Sequence, residues 1–189
     1  NGVSKVDSTV DIKFLEHCLR EDLNERAPRA MAVLDPIRLT ITNFPEGESE
    51  TFVVENLPNH PEYGSHEITF SRHLLIERGD FMVDPPKKYY RFFPGSQVRL
   101  RGSYIVRCTG CHADENGRIT EVLAEYDPET RGGTAREGER IRGTVHWLDE
   151  KTAIPAEVRL YDNLFLVENP DASSLDYHEL LNPDSLTVI

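Results

Sequence analysis

Val98-Arg99-Leu100-Arg101, set within the longer run from Gln97 to Cys108, alternates apolar and cationic side chains. A period of two is the spacing of a β-strand with one face on a core and the other in solvent. Arg99 and Arg101 are therefore expected to project from the same face of one strand.

The same texture extends outward from this run. Ala32-Val33-Leu34, Arg38 to Thr42, Thr51 to Val54 and Glu67 to Phe70 read as strands on the N-terminal side. Tyr89 to Phe93, Ile119 to Tyr126, Ile141 to Leu148, Glu157 to Tyr161 and Thr187-Val188-Ile189 read the same way further on. Many short strands at intervals of roughly 8–12 residues point to a mainly β fold, a barrel or a sandwich. Asp114-Glu115-Asn116-Gly117 lies between two such runs and predicts a hairpin, because Asn-Gly tolerates positive φ at both turn positions. Asp127 to Arg140, polar and carrying Gly132-Gly133, predicts a long mobile loop. Only the opening segment differs. Ser8 or Thr9 would cap a helix whose Phe14, Cys18 and either Leu15 or Leu19 share one face, and Pro28 limits its continuation.

The 189 residues suffice for one large domain or two small ones. Hydrophobic residues make up 38% and charged residues 29%, enough to bury a core. The polar start lacks the apolar run of a signal peptide, and no stretch approaches the ~20 apolar residues of a membrane span. A soluble, cytoplasmic protein is expected. Lys plus Arg number 21 against 33 Asp plus Glu, a net charge of −12, which weighs against nucleic-acid binding. Net charge governs steering and solubility, however, and a local basic strip can still hold a phosphate backbone.

Cys108-Thr109-Gly110-Cys111-His112 formally matches a haem-attachment pattern, but no second pair of ligands accompanies it. The simpler reading is two inert cysteines where a strand enters a hairpin. The seven histidines form no H-E-x-x-H or H-x-H cluster, and phosphate loops, dinucleotide fingerprints and G-x-S-x-G are absent. Neither a catalytic centre nor a metal site is expected in this segment.

The densest chemistry lies in Lys87-Lys88-Tyr89-Tyr90-Arg91-Phe92-Phe93 followed by Val98 to Arg101. Cations suit phosphates, planar guanidiniums suit base edges, and aromatic rings suit stacking on unpaired bases. The competing reading ties the same arginines into ion pairs with acidic neighbours, and an acidic chain supplies plenty.

Several longer motifs resemble a known family. Arg20-Glu21-Asp22-Leu23-Asn24 with Ala27 to Val33, Pro58-Asn59-His60-Pro61 with Gly64-Ser65, and Val98 to Arg101 are similar, in order and spacing, to the anticodon-binding region of glutaminyl-tRNA synthetases. Gly143-Thr144-Val145-His146-Trp147, Val158 to Asp162 and Asn182-Pro183-Asp184-Ser185-Leu186 continue the match. The resemblance, to the C-terminal anticodon-binding domain of the bacterial-type class I enzymes, covers nearly the whole chain.

This resemblance implies two linked β-barrels of a ribosomal-protein-like type, preceded by a short N-terminal helix. Residues 1–28 would end a helical connecting region. Residues 29–75 and 157–189 would form a proximal barrel, incomplete at its C-terminal end, and 76–156 a distal one. The implied partner is the anticodon stem-loop of tRNA(Gln), with Arg29 and the adjoining Asn24 at the middle base. Arg91 would face the third base, Arg99 and Arg101 the first, and Lys88 and Tyr90 the flanks. Tyr90 stands where some members carry lysine, so stacking or hydrogen bonding would replace a phosphate contact there. The His-Ile-Gly-His and lysine-loop signatures of the catalytic half are absent from the sequence. ATP with Mg would serve the parent enzyme, expected to be monomeric, and no cofactor is expected in this segment. The alternatives are the corresponding domain of a glutamyl-tRNA synthetase and a purely structural or protein-binding β-barrel.

Overall fold

The computed structural model describes residues 11–189. Helix α1 (Ile12–Arg26) begins at Asp11, whose carboxylate accepts the Lys13 amide at 2.9 Å and satisfies a free N–H of the first turn. The expected caps, Ser8 and Thr9, lie outside the described residues. Ala27 turns extended ahead of Pro28, and the helix stops there. No side chain of α1 is buried, and Phe14, Leu15 and Leu19 face outward.

The rest is mainly β. Strands β1 (Pro36–Ile41), β2 (Ser49–Glu55), β3 (Ser65–Ser71), β4 (His73–Glu77) and β5 (Gln97–Leu100) lead into β6 (Ile105–Ala113) and β7 (Ile119–Tyr126). Short strands β8 (Thr144–Val145), β9 (Leu148–Asp149), β10 (Arg159–Tyr161) and β11 (Leu186–Val188) follow. Seven of these form one sheet in the order β8-β5-β6-β7-β1-β4-β9. The sheet's two edge strands, β8 and β9, are separated in the chain only by His146 and Trp147. One short stretch thus pairs with β5 at its start and with β4 at its end, so the sheet must curl until its edges meet at this corner. Trp147 fills the corner, fully buried, with its indole N–H donating to the Arg101 carbonyl at 3.0 Å.

A hairpin of β2 and β3 packs over the curled sheet. Phe70 of β3 stands at the centre, with ring centroids of Phe44, Phe52, Tyr104, Tyr126 and Trp147 between 5.2 and 6.2 Å away. Their edge-on and tilted contacts suit aromatic quadrupoles and bury large apolar area. The hydroxyl of Tyr104 also reaches back to Glu50 of β2 at 2.7 Å.

The architecture corrects the expectation of two closed barrels: a single curled sheet is joined by two small sheets. Strands β10 and β11 pair with each other, and every residue in them is exposed. Three-residue strands that bury nothing cannot close a second barrel on their own. The expected boundary at 75/76 falls inside β4, and the main sheet draws strands from both sides of it.

Individual strands differ too. The run from Gln97 to Cys108 divides into β5 and β6, with Gly102 at φ +74° supplying the left-handed residue of the turn. Arg101 belongs to that turn rather than to a strand. Tyr89 to Phe93 forms no strand; only Phe92 bridges to Phe81, and its fully buried ring serves the core instead. Ala32 to Leu34 also lies outside the sheet, and the Leu34 and Asp35 amides donate to the Glu77 carboxylate at 2.6 and 3.1 Å. The hairpin at Asp114 to Gly117 is present between β6 and β7. Its turn is fixed by the Asp114 carboxylate, which accepts the Asn116 and Arg118 amides, and Asn116 keeps a negative φ. The loop from Asp127 to Arg140 is anchored through Thr130, fully buried, whose hydroxyl accepts the Ile105 amide at 2.9 Å.

Candidate nucleic-acid interface

Alternation along β5 holds: Val98 and Leu100 are buried at 1% and 0% exposure, while Arg99 and Arg101 turn away from the core. Arg99 is half-buried. Its Nε donates to the Gly133 carbonyl at 2.5 Å and its Nη1 to Thr144 Oγ1 at 3.4 Å. Its alkyl stem lies on Gly133, where an added Cβ would come within 2.9 Å of Arg99 Cδ. Among the described residues no carboxylate pairs with Arg99.

Lys88, Tyr90 and Arg91 sit on the segment that precedes β5. Lys88 is exposed and adopts φ +69°, unusual for a residue with a side chain. Arg91 donates through Nε to Asp80 Oδ1 at 2.8 Å and through Nη1 to the Tyr90 carbonyl at 3.2 Å. The ion-pair reading of the arginines therefore applies to Arg91. Burial, then the nearby Asp80 carboxylate, raises the Tyr89 hydroxyl above the usual tyrosine range, and it donates to the Gly79 carbonyl at 3.0 Å. Tyr90 remains 42% exposed.

Asn24, Arg29 and Arg101 form a second group. Arg29 leaves the end of α1, donates Nη2 to the Asn24 carbonyl at 3.0 Å, and is tied to the tip of β2 by its amide on the Asn56 carbonyl at 2.7 Å. Arg29 and Arg101 line one small cleft with Met31, Val54, Pro58 and His66, and Asn24 lines an adjoining groove that also touches Arg29. Arg99 and Arg101 thus have different surroundings, the turn at Gly102 carrying Arg101 toward Arg29 while Arg99 lies over the loop at Gly133.

Two cationic groups, one of them beside the exposed ring of Tyr90, are suited to splayed single-stranded bases. Residues 27–127 match the family described as tRNA synthetases class I (E and Q), anti-codon binding domain. The chain belongs to this family. Residues 144–189 of the anticodon-binding domain match a second family of the same description. It is 52% identical over 187 residues to a glutamine–tRNA ligase of Clostridium perfringens, covering 99% of this chain and 34% of that protein. Glutamine–tRNA ligases of Vibrio vulnificus and Bradyrhizobium diazoefficiens are 48% and 47% identical over the whole chain, which covers 34% and 33% of their lengths. The domain spans about a third of the length of these curated relatives.

Three residues have roles here that their local sequence does not announce: exposed Arg142 and the buried Gly133 and Gly143. Arg142 joins Tyr90, and Gly133 and Gly143 shape the ground beneath Arg99 and Tyr90. The only local signal was the placing of Arg142 directly before Gly143-Thr144-Val145-His146-Trp147. Burial pushes the Cys108 thiol up to about 11, so it is protonated at neutral pH, and no metal-binding cluster of three or more ligands exists among the described residues. No described helix is long and apolar enough to cross a membrane.

Proposed function

We propose that this domain recognises the anticodon stem-loop of tRNA(Gln) and serves a glutamine–tRNA ligase, a cytoplasmic monomer that attaches glutamine to that tRNA at the expense of ATP. The observation that carries the reading is the state of Arg99. Its guanidinium is fixed by a carbonyl and a hydroxyl, not by any described carboxylate, in a chain with 33 acidic residues. An arginine held in this way keeps its full charge and its free donors for a ligand.

Anticodon bases are unpaired and can be splayed into separate sites, each read on its Watson–Crick edge. On this reading Arg99 and Arg91 serve one site with Lys88 and Tyr90 beside it, and Arg29, Asn24 and Arg101 serve another. A wrong base leaves donors unpaired in a partly dry site, which disfavours binding by about 1–3 kcal/mol. Within the whole ligase, correct docking would stabilise the same bound state as the catalytic part, where ATP and Mg act.

Binding of two stem-loops, with glutamine and mismatched anticodons, to the wild-type chain and to Arg99→Ala tests this. Preference for the glutamine loop, reduced about tenfold or more by the substitution, is the expected result. Equal affinity for both loops, unaltered in Arg99→Ala, would overturn it. Because the family description covers both E and Q enzymes, a glutamate-anticodon loop belongs in the same assay. Its selection over the glutamine loop would reassign the domain to a glutamyl-tRNA synthetase.

A further inference from the structure

Arg142 lies just before β8, and its guanidinium carbon stands 5.3 Å from the centroid of the Tyr90 ring. Its Nη1 donates to the Tyr90 hydroxyl at 2.9 Å. The approach is fixed by the next residue. A Cβ at Gly143 would fall 2.2 Å from the Tyr90 carbonyl oxygen, so the two segments touch backbone to backbone. The Gly143 carbonyl in turn accepts the Arg99 amide at 2.9 Å. Arg142, Tyr90 and Arg99 are thereby held in one register, with Arg91 next to Tyr90 in the chain.

A guanidinium has five N–H donors, and Tyr90 engages one of them. Arg142 is exposed, and among the described residues no carboxylate pairs with it. Arg136, in the preceding loop, behaves differently and pairs with Asp127 and Glu129, both at 2.9 Å. Against a background of 33 acidic residues, an arginine directed onto a neutral tyrosine is a charge kept available. The ring face also restrains the guanidinium plane, which lowers the entropy lost when a phosphate is gripped.

We propose that Arg142, oriented by Tyr90, holds a backbone phosphate of the single-stranded RNA whose bases face Arg91 and Arg99; this rests on the anticodon-binding reading above. Tyr90 is then a positioning residue. A phosphate contact adds affinity without regard to sequence, and it adds to the salt dependence of binding through counterion release.

The test is a salt titration of both stem-loops against the wild-type chain, Arg142→Ala, Arg142→Lys and Tyr90→Phe, each checked for an unaltered unfolding midpoint. Arg142→Ala is expected to weaken both RNAs by a similar factor, about tenfold at low salt, and to reduce the slope of log K against log salt by about 0.7. Arg142→Lys keeps the charge and therefore the slope, and remains folded should the alanine variant be unstable. Tyr90→Phe removes the hydroxyl contact and lies between wild type and Arg142→Ala in affinity. An unchanged slope in Arg142→Ala, or a slope lost equally in Arg142→Lys, overturns the proposal. If that occurs while anticodon preference persists, the anticodon reading stands and only the phosphate contact fails. If both loops bind equally yet Arg142→Ala still lowers the slope, base readout fails and the contact stands. No binding of either RNA at low salt overturns both.

Discussion

Arg99 depends on a residue with no side chain. Its stem crosses Gly133, which sits at φ +80° in the loop, and its Nε bonds the carbonyl of that same residue. Gly133→Ala would place a methyl group 2.9 Å from Arg99 Cδ in a backbone conformation that L-residues rarely adopt. We expect a loss of about 1–3 kcal/mol in urea unfolding, with reduced anticodon preference in the folded protein. Full preference in a destabilised variant would show that Arg99 reaches its ligand without this support. At this scale the sequence was informative about which residues face out, since alternation in Val98 to Arg101 survives in the fold. It was silent on their partners. Tyr90 and Arg142 are 52 residues apart, and nothing local to either predicts their meeting. The division of Arg99 from Arg101 was hidden as well, because Tyr104 to Cys108 is apolar enough to pass for a continuation of β5.

Among the elements, β9 shows how a two-residue strand is kept in place. Asp149 is buried at its end, and its carboxylate accepts the Ser71 hydroxyl from β3 together with the Lys151 and Thr152 amides at 3.1 and 2.9 Å. Asp149→Ala would leave two amides without their acceptor and the Ser71 hydroxyl with only the His73 carbonyl at 3.3 Å. A loss of about 2–4 kcal/mol is expected, read as a lower unfolding midpoint in urea, whereas a change below about 0.5 kcal/mol would mean that water replaces the carboxylate. Legibility of elements followed the range of the forces that make them. Strand β7 and its hairpin with β6 rest on local alternation and an Asp-led turn, and they emerge where the pattern places them. Tyr89 to Phe93 has strand-like composition, yet its aromatic content goes to plugging the core through Phe92. His73 to Glu77 was missed because it follows β3 after a single residue, leaving no turn signal to separate them. The pairing of β1 with β7 is parallel and joins residues about 80 apart, beyond anything a window of sequence contains.

For the molecule as a whole, the question is what fastens the β2–β3 hairpin to the curled sheet. Phe70 supplies the apolar part, and Tyr104 adds a polar latch to Glu50. Burial, together with Glu50, pushes the Tyr104 hydroxyl up to about 12. Its folded value thus exceeds the ordinary value of about 10, so the native state binds the extra proton between these limits. The associated stability is complete below pH 10 and disappears as pH rises toward 12. Unfolding followed by circular dichroism from pH 9 to 12 should show a steeper decline for wild type than for Tyr104→Phe. Parallel declines would mean that Tyr104 ionises in the folded chain as freely as in the unfolded one.

The corner at which the sheet's edges meet has a further consequence. Trp147 is the sole tryptophan, shielded from solvent, and its indole bonds the backbone oxygen of Arg101 in the turn beside Arg29. Any ligand that draws Arg101 outward alters the polarity felt by that ring. Emission colour and lifetime should therefore follow occupancy of the Arg29–Arg101 cleft without a dye or label, giving the domain an intrinsic optical gauge on one of its two cationic groups.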